Sequence, residues 1–316
     1  MKTVLVTLPV EARHRAFLTE SIGGRADEYA LRYTEGEDPT PEQVREASAI
    51  IGLPHVSLLR YADRLEWLQL SSAGSDAFTA PGILSPEIVL TSAVGAYGLT
   101  VSEHMLAQTF AVIRRFGQYG RNQVRHDWRS MGRIISVEGS VIAVLGLGDI
   151  GGSYARKVKA LGAYVIGLRR SDRPKPDYLD EQYTIDRLDE VLPRADIVAM
   201  VLPGGEGTRR IMNGARLGLM KQGAFLINAG RGNAIDPSAL KAALREGRLG
   251  GAALDVTEPE PLPPEDELWD FDNVILTPHA AGFFFLEETL NRVVAIAGDN
   301  LSRWVRGLPL RNVVAR

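Results

Sequence analysis

The 316-residue chain contains no cysteine, which excludes disulfides, thiolate nucleophiles, cysteine-ligated zinc and iron–sulfur clusters. No stretch approaches the roughly 20 apolar residues of a membrane span. The first apolar run, Val4-Leu5-Val6, meets Pro9 too soon to form the core of a secretory signal, so a cytoplasmic protein whose first strand starts at once is expected. Charge of one sign is also missing. The 36 Lys and Arg against 39 Asp and Glu leave a net charge of -3, without the basic face of a nucleic-acid binder. Neither internal repeats nor low-complexity tracts occur. What is present, 45% hydrophobic and 24% charged residues, is ordinary globular composition, and the length suffices for two substantial cores.

Short β-rich runs alternate with helical patterns, which predicts α/β architecture with parallel sheets. The first third has strand patterns at 4–7, 49–52, 67–70 and 88–91, with amphipathic pieces at 11–22 and 41–46. Residues 100–119 read as one long helix, through Val101, Met105, Thr109, Val112 and Phe116. A second series of strand patterns follows at 141–145, 164–168, 197–201, 224–228, 252–255 and 274–277. Helical segments at 150–161 and 237–246 separate some of them; Pro237 after Asp236 is a favourable helix start. Six strands in this order suit a doubly wound nucleotide-binding sheet. A last long helix at 286–305 lies beyond that sheet and is free to cross back to the first domain.

Gly146-Leu147-Gly148-Asp149-Ile150-Gly151 follows an apolar strand run and opens a helix. A GxGxxG motif alone is weak, but strand, glycine loop and helix in this order are what a pyrophosphate needs. The glycines admit close backbone approach, and the helix N-terminus supplies amides and partial positive charge. The next strand ends in Leu168-Arg169-Arg170-Ser171. An NAD site would place an acid near this point to bind the adenosine ribose. Arg169 stands there instead, and its guanidinium can fork onto a 2′-phosphate, so NADP(H) is expected over NAD(H). Asp172 keeps an NAD site open as the alternative.

Ligands of a doubly wound sheet bind beyond the carboxyl ends of its strands. Four polar groups fall just past such ends: Arg231, Asp255, Glu260 and His279. Reducing a 2-oxo acid requires an anchor for its carboxylate, polarisation of its carbonyl and a proton donor. Arg231 can fork onto the carboxylate and carbonyl oxygens. His279 titrates near neutrality and can give or take the proton. Glu260 beside it would favour the imidazolium. Asp255 is expected at the nicotinamide carboxamide or ribose. Singly, each has an ordinary structural explanation; four at neighbouring strand ends do not.

With these motifs in view, the chain resembles the D-isomer-specific 2-hydroxyacid dehydrogenases over nearly its whole length. The resemblance rests on the 146–151 loop, Leu202-Pro203 with Thr208, Asn228-Ala229-Gly230-Arg231-Gly232 with Asp236, Asp255-Val256 with Glu258-Pro259-Glu260-Pro261, and Thr277-Pro278-His279 with Gly282. Ser71-Ser72-Ala73-Gly74-Ser75-Asp76 resembles the family's substrate loop, and 95–104 its first hinge and dimer-forming helix. The resemblance implies a Rossmann cofactor domain at 98–281. That domain would be inserted into a smaller flavodoxin-like substrate domain of 1–97 plus 282–316.

It also implies Arg231, Glu260 and His279 as catalytic residues, and Ala73, Gly74 and Ser75 as substrate ligands beside Arg231 and His279. The cofactor would be held by Gly146, Gly148, Asp149, Ile150, Gly151, Arg169, Arg170, Ser171, Leu202, Pro203, Thr208, Ala229, Gly230, Asp255, His279 and Gly282. A homodimer and a cleft closing on substrate are implied, with no metal, nucleic-acid or membrane partner. An arginine after the second strand looks like the glyoxylate and hydroxypyruvate reductase branch. Phe283-Phe284-Phe285 departs from the pattern, which often has a small polar residue there. It reads as core at the second hinge or, alternatively, as a wall of the substrate pocket. Two rival functions stay open: an NAD-linked dehydrogenase of a bulkier acid, and a dinucleotide-sensing scaffold like the corepressors that resemble this family.

Overall fold

A computed structural model describes all 316 residues. The chain divides into two compact units, Met1–Tyr97 with Phe284–Arg316, and Gly98–Phe283. The first contains β1 (Lys2–Val6), α1 (Ala12–Ser21), β2 (Tyr29–Tyr33), α2 (Pro41–Glu46), β3 (Ala47–Gly52), β4 (Trp67–Leu70), the single turn α3 (Asp76–Thr79) and β5 (Val89–Thr91). Its strands are all parallel in the order β2-β1-β3-β4-β5, the flavodoxin-like arrangement. Every residue of β3 and β4 is buried, as parallel strands covered on both faces must be.

A buried polar chain ties the C-terminal helix to this sheet. Asn300 Nδ2 donates to Gln69 Oε1 at 2.8 Å. The same Oε1 accepts from Thr91 Oγ1 at 2.9 Å, and Thr91 Oγ1 accepts from Trp67 Nε1 at 2.8 Å. Each buried donor thus has its acceptor, which is the condition for tolerating polar atoms in a core.

The second unit contains α4 (Gly98–Ile113), α5 (Phe116–Val124), β6 (Val141–Leu145), α6 (Asp149–Ala160), β7 (Tyr164–Arg169), β8 (Glu181–Thr184), α7 (Leu188–Val191), β9 (Ile197–Met200), α8 (Gly214–Leu219), β10 (Ala224–Asn228), α9 (Pro237–Arg245), β11 (Leu249–Leu254) and β12 (Val274–Leu276). The C-terminal helix, in the first unit, is α10 (Glu287–Val305). The seven strands run parallel in the order β12-β11-β10-β9-β6-β7-β8. Chain order reverses between β6 and β9, the switch point where such sheets bind ligands. Asp236 caps α9, its Oδ1 accepting from Ser238 N and Ala239 N at 3.0 and 3.1 Å.

Three expectations are corrected. The long helix at 100–119 is two helices, because Arg115 takes a left-handed conformation with φ 63° and breaks the ladder. Phe116, which continued the apolar periodicity, is 61% exposed. Two strands, β2 and β8, had no apolar signature; both are half-exposed strands at the edges of their sheets. Phe283 and Phe285 are 53% and 84% exposed, so this segment is not core.

Candidate active site

The loop after β10 is shaped by glycines that have no room for a side chain. A Cβ on Gly230 would stand 2.8 Å from the backbone of Leu202, and one on Gly232 only 1.9 Å from the Thr257 carbonyl oxygen. Arg231 lies between them, pressed by this close approach against the loop that follows β11. Asn228 at the end of β10 fixes the turn: its Oδ1 accepts from Gly230 N at 3.0 Å and its Nδ2 donates to the Arg231 carbonyl at 2.9 Å.

Asp255 serves the loop after β12. It is 2% exposed, and its carboxylate accepts from Thr277 Oγ1 at 2.6 Å, Ala280 N at 2.9 Å and Ala281 N at 3.2 Å. Its carbonyl accepts from His279 N at 2.8 Å. The structure gives Asp255 the task of clamping the histidine loop. The clamp is needed because His279 sits at φ 51°, a conformation L side chains rarely adopt and surrounding bonds must enforce. From α4, His104 Nε2 and Gln108 Nε2 donate to Thr277 Oγ1 at 3.0 and 3.1 Å, completing the network. The sequence offered no period or motif that would single out these two.

Glu260 is held ready for the imidazole. Its Oε1 accepts from Thr257 N at 2.9 Å, and its Oε2 accepts from His279 Nδ1 at 2.9 Å. That hydrogen bond, with the charges of Glu260 and Asp255, raises the His279 pKa above its usual value, against burial and the charge of Arg231. Burial pushes Glu260 up, but the bonds from His279 and Thr257 and the charges of His279 and Arg231 outweigh it and leave the carboxyl below its usual range. The structure therefore brings Arg231, Glu260 and His279 into one electrostatically coupled group. It favours an imidazolium whose Nδ1 is committed to a carboxylate and whose Nε2 remains for exchange with a ligand.

The loop after β6 fits a dinucleotide. A Cβ on Gly146 would meet the Val201 carbonyl oxygen at 2.7 Å, and one on Gly151 the Gly146 carbonyl oxygen at 1.8 Å. Gly148, the N-cap of α6, has open space instead. Two glycines thus pack the turn while the third faces outward beside the first-turn amides of Asp149 and Ile150, which have no intrahelical partner. The Asp149 carboxylate packs against Gly98 at the start of α4, where a Cβ would lie 2.2 Å away. Across the switch point, Thr208 Oγ1 donates to the Pro203 carbonyl at 2.8 Å and holds the Leu202-Pro203 loop closed. Ala229 is half-buried beside it and Gly282 follows the histidine loop. At the end of β7, Arg169 Nε is buried without a partner, while Arg170 and Ser171 are exposed.

In the other unit, Ala73, Gly74 and Ser75 follow the carboxyl end of β4. The Ser72 hydroxyl donates to the Gly74 carbonyl at 2.6 Å and the Tyr97 hydroxyl to the Ser71 carbonyl at 2.5 Å. These bonds turn the loop without consuming its amides.

Residues 106–281 match the family described as D-isomer specific 2-hydroxyacid dehydrogenase, NAD binding domain. The chain is 32% identical to the glyoxylate reductase of Aeropyrum pernix across 96% of both proteins. The chain belongs to the D-isomer-specific 2-hydroxyacid dehydrogenase family. It is an NAD(P)-dependent oxidoreductase of a family that acts on small 2-hydroxy and 2-oxo acids. Solved structures of the family superpose over nearly the whole chain. One is a family protein of Aeromonas salmonicida, with TM-score 0.85, 29% identity and 99% of each chain covered. Another is the NADPH-dependent glyoxylate/hydroxypyruvate reductase of Sinorhizobium meliloti in complex with NADP and sulfate, with TM-score 0.80, 28% identity, and 99% and 98% of the two chains covered.

Proposed function

We propose that this dehydrogenase reduces a small 2-oxo acid of the glyoxylate or hydroxypyruvate class to the D-2-hydroxy acid, with NADPH as the preferred cofactor. The observation that carries the chemistry is the His279–Glu260 hydrogen bond at 2.9 Å, set beside Arg231. When bound, the nicotinamide supplies or accepts the hydride. Arg231 forks onto the substrate's carboxylate and carbonyl oxygens, fixing the acid and drawing electron density from the carbon to be reduced. His279 donates the Nε2 proton to the oxygen that becomes the hydroxyl, and recovers it from solvent. Glu260 keeps the imidazole protonated and correctly turned. The amides of Ala73, Gly74 and Ser75 serve the carboxylate.

Cofactor contacts are assigned to the 146–151 loop, to Arg169, Arg170 and Ser171, and to the backbone at Leu202, Pro203, Thr208, Ala229, Gly230 and Gly282. The preference for NADPH is supported by Arg169, whose buried Nε lacks an acceptor, and by the NADP complex of the Sinorhizobium reductase. A homodimer belongs to the same reading, since α5 and the residues after it leave Phe116, Val124 and Trp128 exposed at 61%, 83% and 103%. A screen of NADPH and NADH oxidation with glyoxylate, hydroxypyruvate, pyruvate and phenylpyruvate tests the reading. Turnover should be highest with the two small acids and NADPH. Faster turnover with phenylpyruvate, or equal use of NADH, would overturn it.

A further inference from the structure

The carboxyl ends of β7 and β8 border a cavity of about 230 Å³, lined by Arg169, Asp172, Gln182, Tyr183, Thr184 and Arg187. Two of these residues carry a buried polar atom without a partner, Arg169 Nε and Gln182 Oε1. One lacks an acceptor and the other a donor, and buried groups of this kind are almost always paired by protein, water or ligand. A ligand bearing both an anionic oxygen and a hydroxyl would satisfy the two together. A phosphorylated ribose is such a ligand.

The second cation of the cavity is fixed in place. Arg187 lies over the Tyr183 ring, 4.5 Å from its centroid. Its Nε donates to Glu190 Oε1 at 2.9 Å, and its Nη2 bonds the other carboxylate oxygen. Tyr183 is itself anchored, since its hydroxyl donates to Glu181, whose carboxylate also accepts from Arg194 and Tyr164. These bonds hold the Glu181 pKa down to about 2, so the anchor stays charged throughout the neutral range. The bracing leaves Nη1 of Arg187 for a ligand. In the sheet, Arg169 pairs with Thr184, three residues before Arg187, so both guanidinium groups border one bay.

We infer that Arg187 is a second specificity-determining residue for NADPH, sharing the ribose 2′-phosphate with Arg169. The inference rests on the NADPH reading above and adds a residue that lies 18 positions beyond the strand end where cofactor choice is ordinarily sought. Charge sets its size. Glu190 already offsets part of Arg187, and Asp172 is a carboxylate on the lining. The second fork therefore adds discrimination to the contacts assigned to Arg169, Arg170 and Ser171.

Calorimetric binding of adenosine 2′,5′-bisphosphate and of 5′-AMP, probes that differ only in the 2′-phosphate, tests this without turnover. The unmodified protein should bind the bisphosphate more tightly. Arg187→Gln should weaken the bisphosphate about tenfold, the loss of one charge-assisted contact, and leave 5′-AMP unchanged. Arg187→Lys, which keeps the charge but not the fork, should fall between, and it serves alone if the glutamine variant does not fold. Equal affinity of the unmodified protein for both probes would overturn the NADPH reading and this inference with it. A preference for the bisphosphate that survives in both Arg187 variants, but is lost in Arg169→Gln, would overturn the inference alone. Equal weakening of both probes would make Arg187 a support of the adenosine pocket and also overturn it.

Discussion

The carboxyl edge of the seven-stranded sheet is built in two ways at its two ends. After β10, β11 and β12 the loops are locked: Gly230 and Gly232 admit no side chain, Asp255 is buried, and His279 is forced to φ 51°. After β7 the chain is looser, with Arg170, Ser171 and Asp172 exposed, and Arg169 Nε and Gln182 Oε1 beside the bay are buried without a partner. The difference follows from what each end is proposed to do. Proton transfer requires donor and acceptor held within a few tenths of an ångström before substrate arrives, so the protein itself supplies the bonds that fix Glu260 and the His279 loop. Cofactor discrimination requires bonds that the cofactor completes. The proton-transfer pair is held by protein bonds alone, and the bay after β7 is proposed to be completed by its ligand.

The comparison breaks first at His279. Replacing it with alanine should lower turnover in 2-oxo acid reduction by about 10²–10⁴-fold, the range of general acid–base contributions. Cofactor affinity, read by nicotinamide fluorescence, should stay near that of the unmodified protein. Retained turnover would remove the proton role and leave the locked loops without a purpose.

Glycine substitutions sharpen the same contrast. Gly232→Ala places a Cβ 1.9 Å from the Thr257 carbonyl oxygen, and its three nearest atoms are all Thr257 backbone that cannot swing aside. The loops carrying Arg231 and Glu260 must part, at about 1–3 kcal/mol of stability and with a matching loss of kcat/KM. Gly148→Ala meets open space instead. Its thermal midpoint should be unchanged while cofactor binding weakens, because the added methyl faces the ligand. If both variants lose stability alike, the two ends of the sheet are not built differently.

Glu260→Gln alters the pH dependence before the maximal rate. The His279 pKa is raised, first by its hydrogen bond to Glu260 and then by that carboxylate's charge. Reduction uses the protonated imidazole, so the rate falls as pH rises through that pKa. Removing the carboxylate charge should move this falling limb to lower pH. Stability carries the same sign. The His279 contribution is complete below the unfolded histidine pKa and disappears as pH rises through the folded one. The depressed Glu260 contributes above its own unfolded value and is lost as pH falls through its folded pKa. Titration of the His279 imidazole by NMR in both proteins checks the shift directly, and an unmoved limb would uncouple the pair.

How much of this was legible in the sequence follows the same division. Arg231, Glu260 and His279 were visible because each follows an apolar strand, and such strands announce their own ends. The glycine loop was visible for the same reason. Hidden were the supports that touch the site from another element: His104 and Gln108 on α4, whose role is set only by where Thr277 lies. Asp255 was visible as a strand-end residue but not as the clamp of the histidine loop, since a sequence gives position at a strand end and not the direction of a carboxylate. The strand carrying Tyr183 was hidden because Glu181-Gln182-Tyr183-Thr184 has no apolar alternation, and with it went the bay and Arg187. A half-exposed polar edge strand such as β8 leaves little mark on composition.

The smallest predicted effect lies at the loose end and concerns Asp172, the carboxylate on the lining of the bay. If the bay receives a 2′-phosphate, this carboxylate opposes it, and Asp172→Asn should raise the ratio of kcat/KM for NADPH over NADH. Because the residue is exposed and screened, the change should be about two- to fivefold, the scale of surface charge interactions. Raising the ionic strength should shrink it further, since an exposed pair loses its coupling within a Debye length. If Asp172 instead grips the ribose hydroxyls of NAD, the same substitution raises the ratio through a worse KM for NADH, with NADPH unmoved. Separating the two KM values therefore decides whether the loose end repels one cofactor or holds the other.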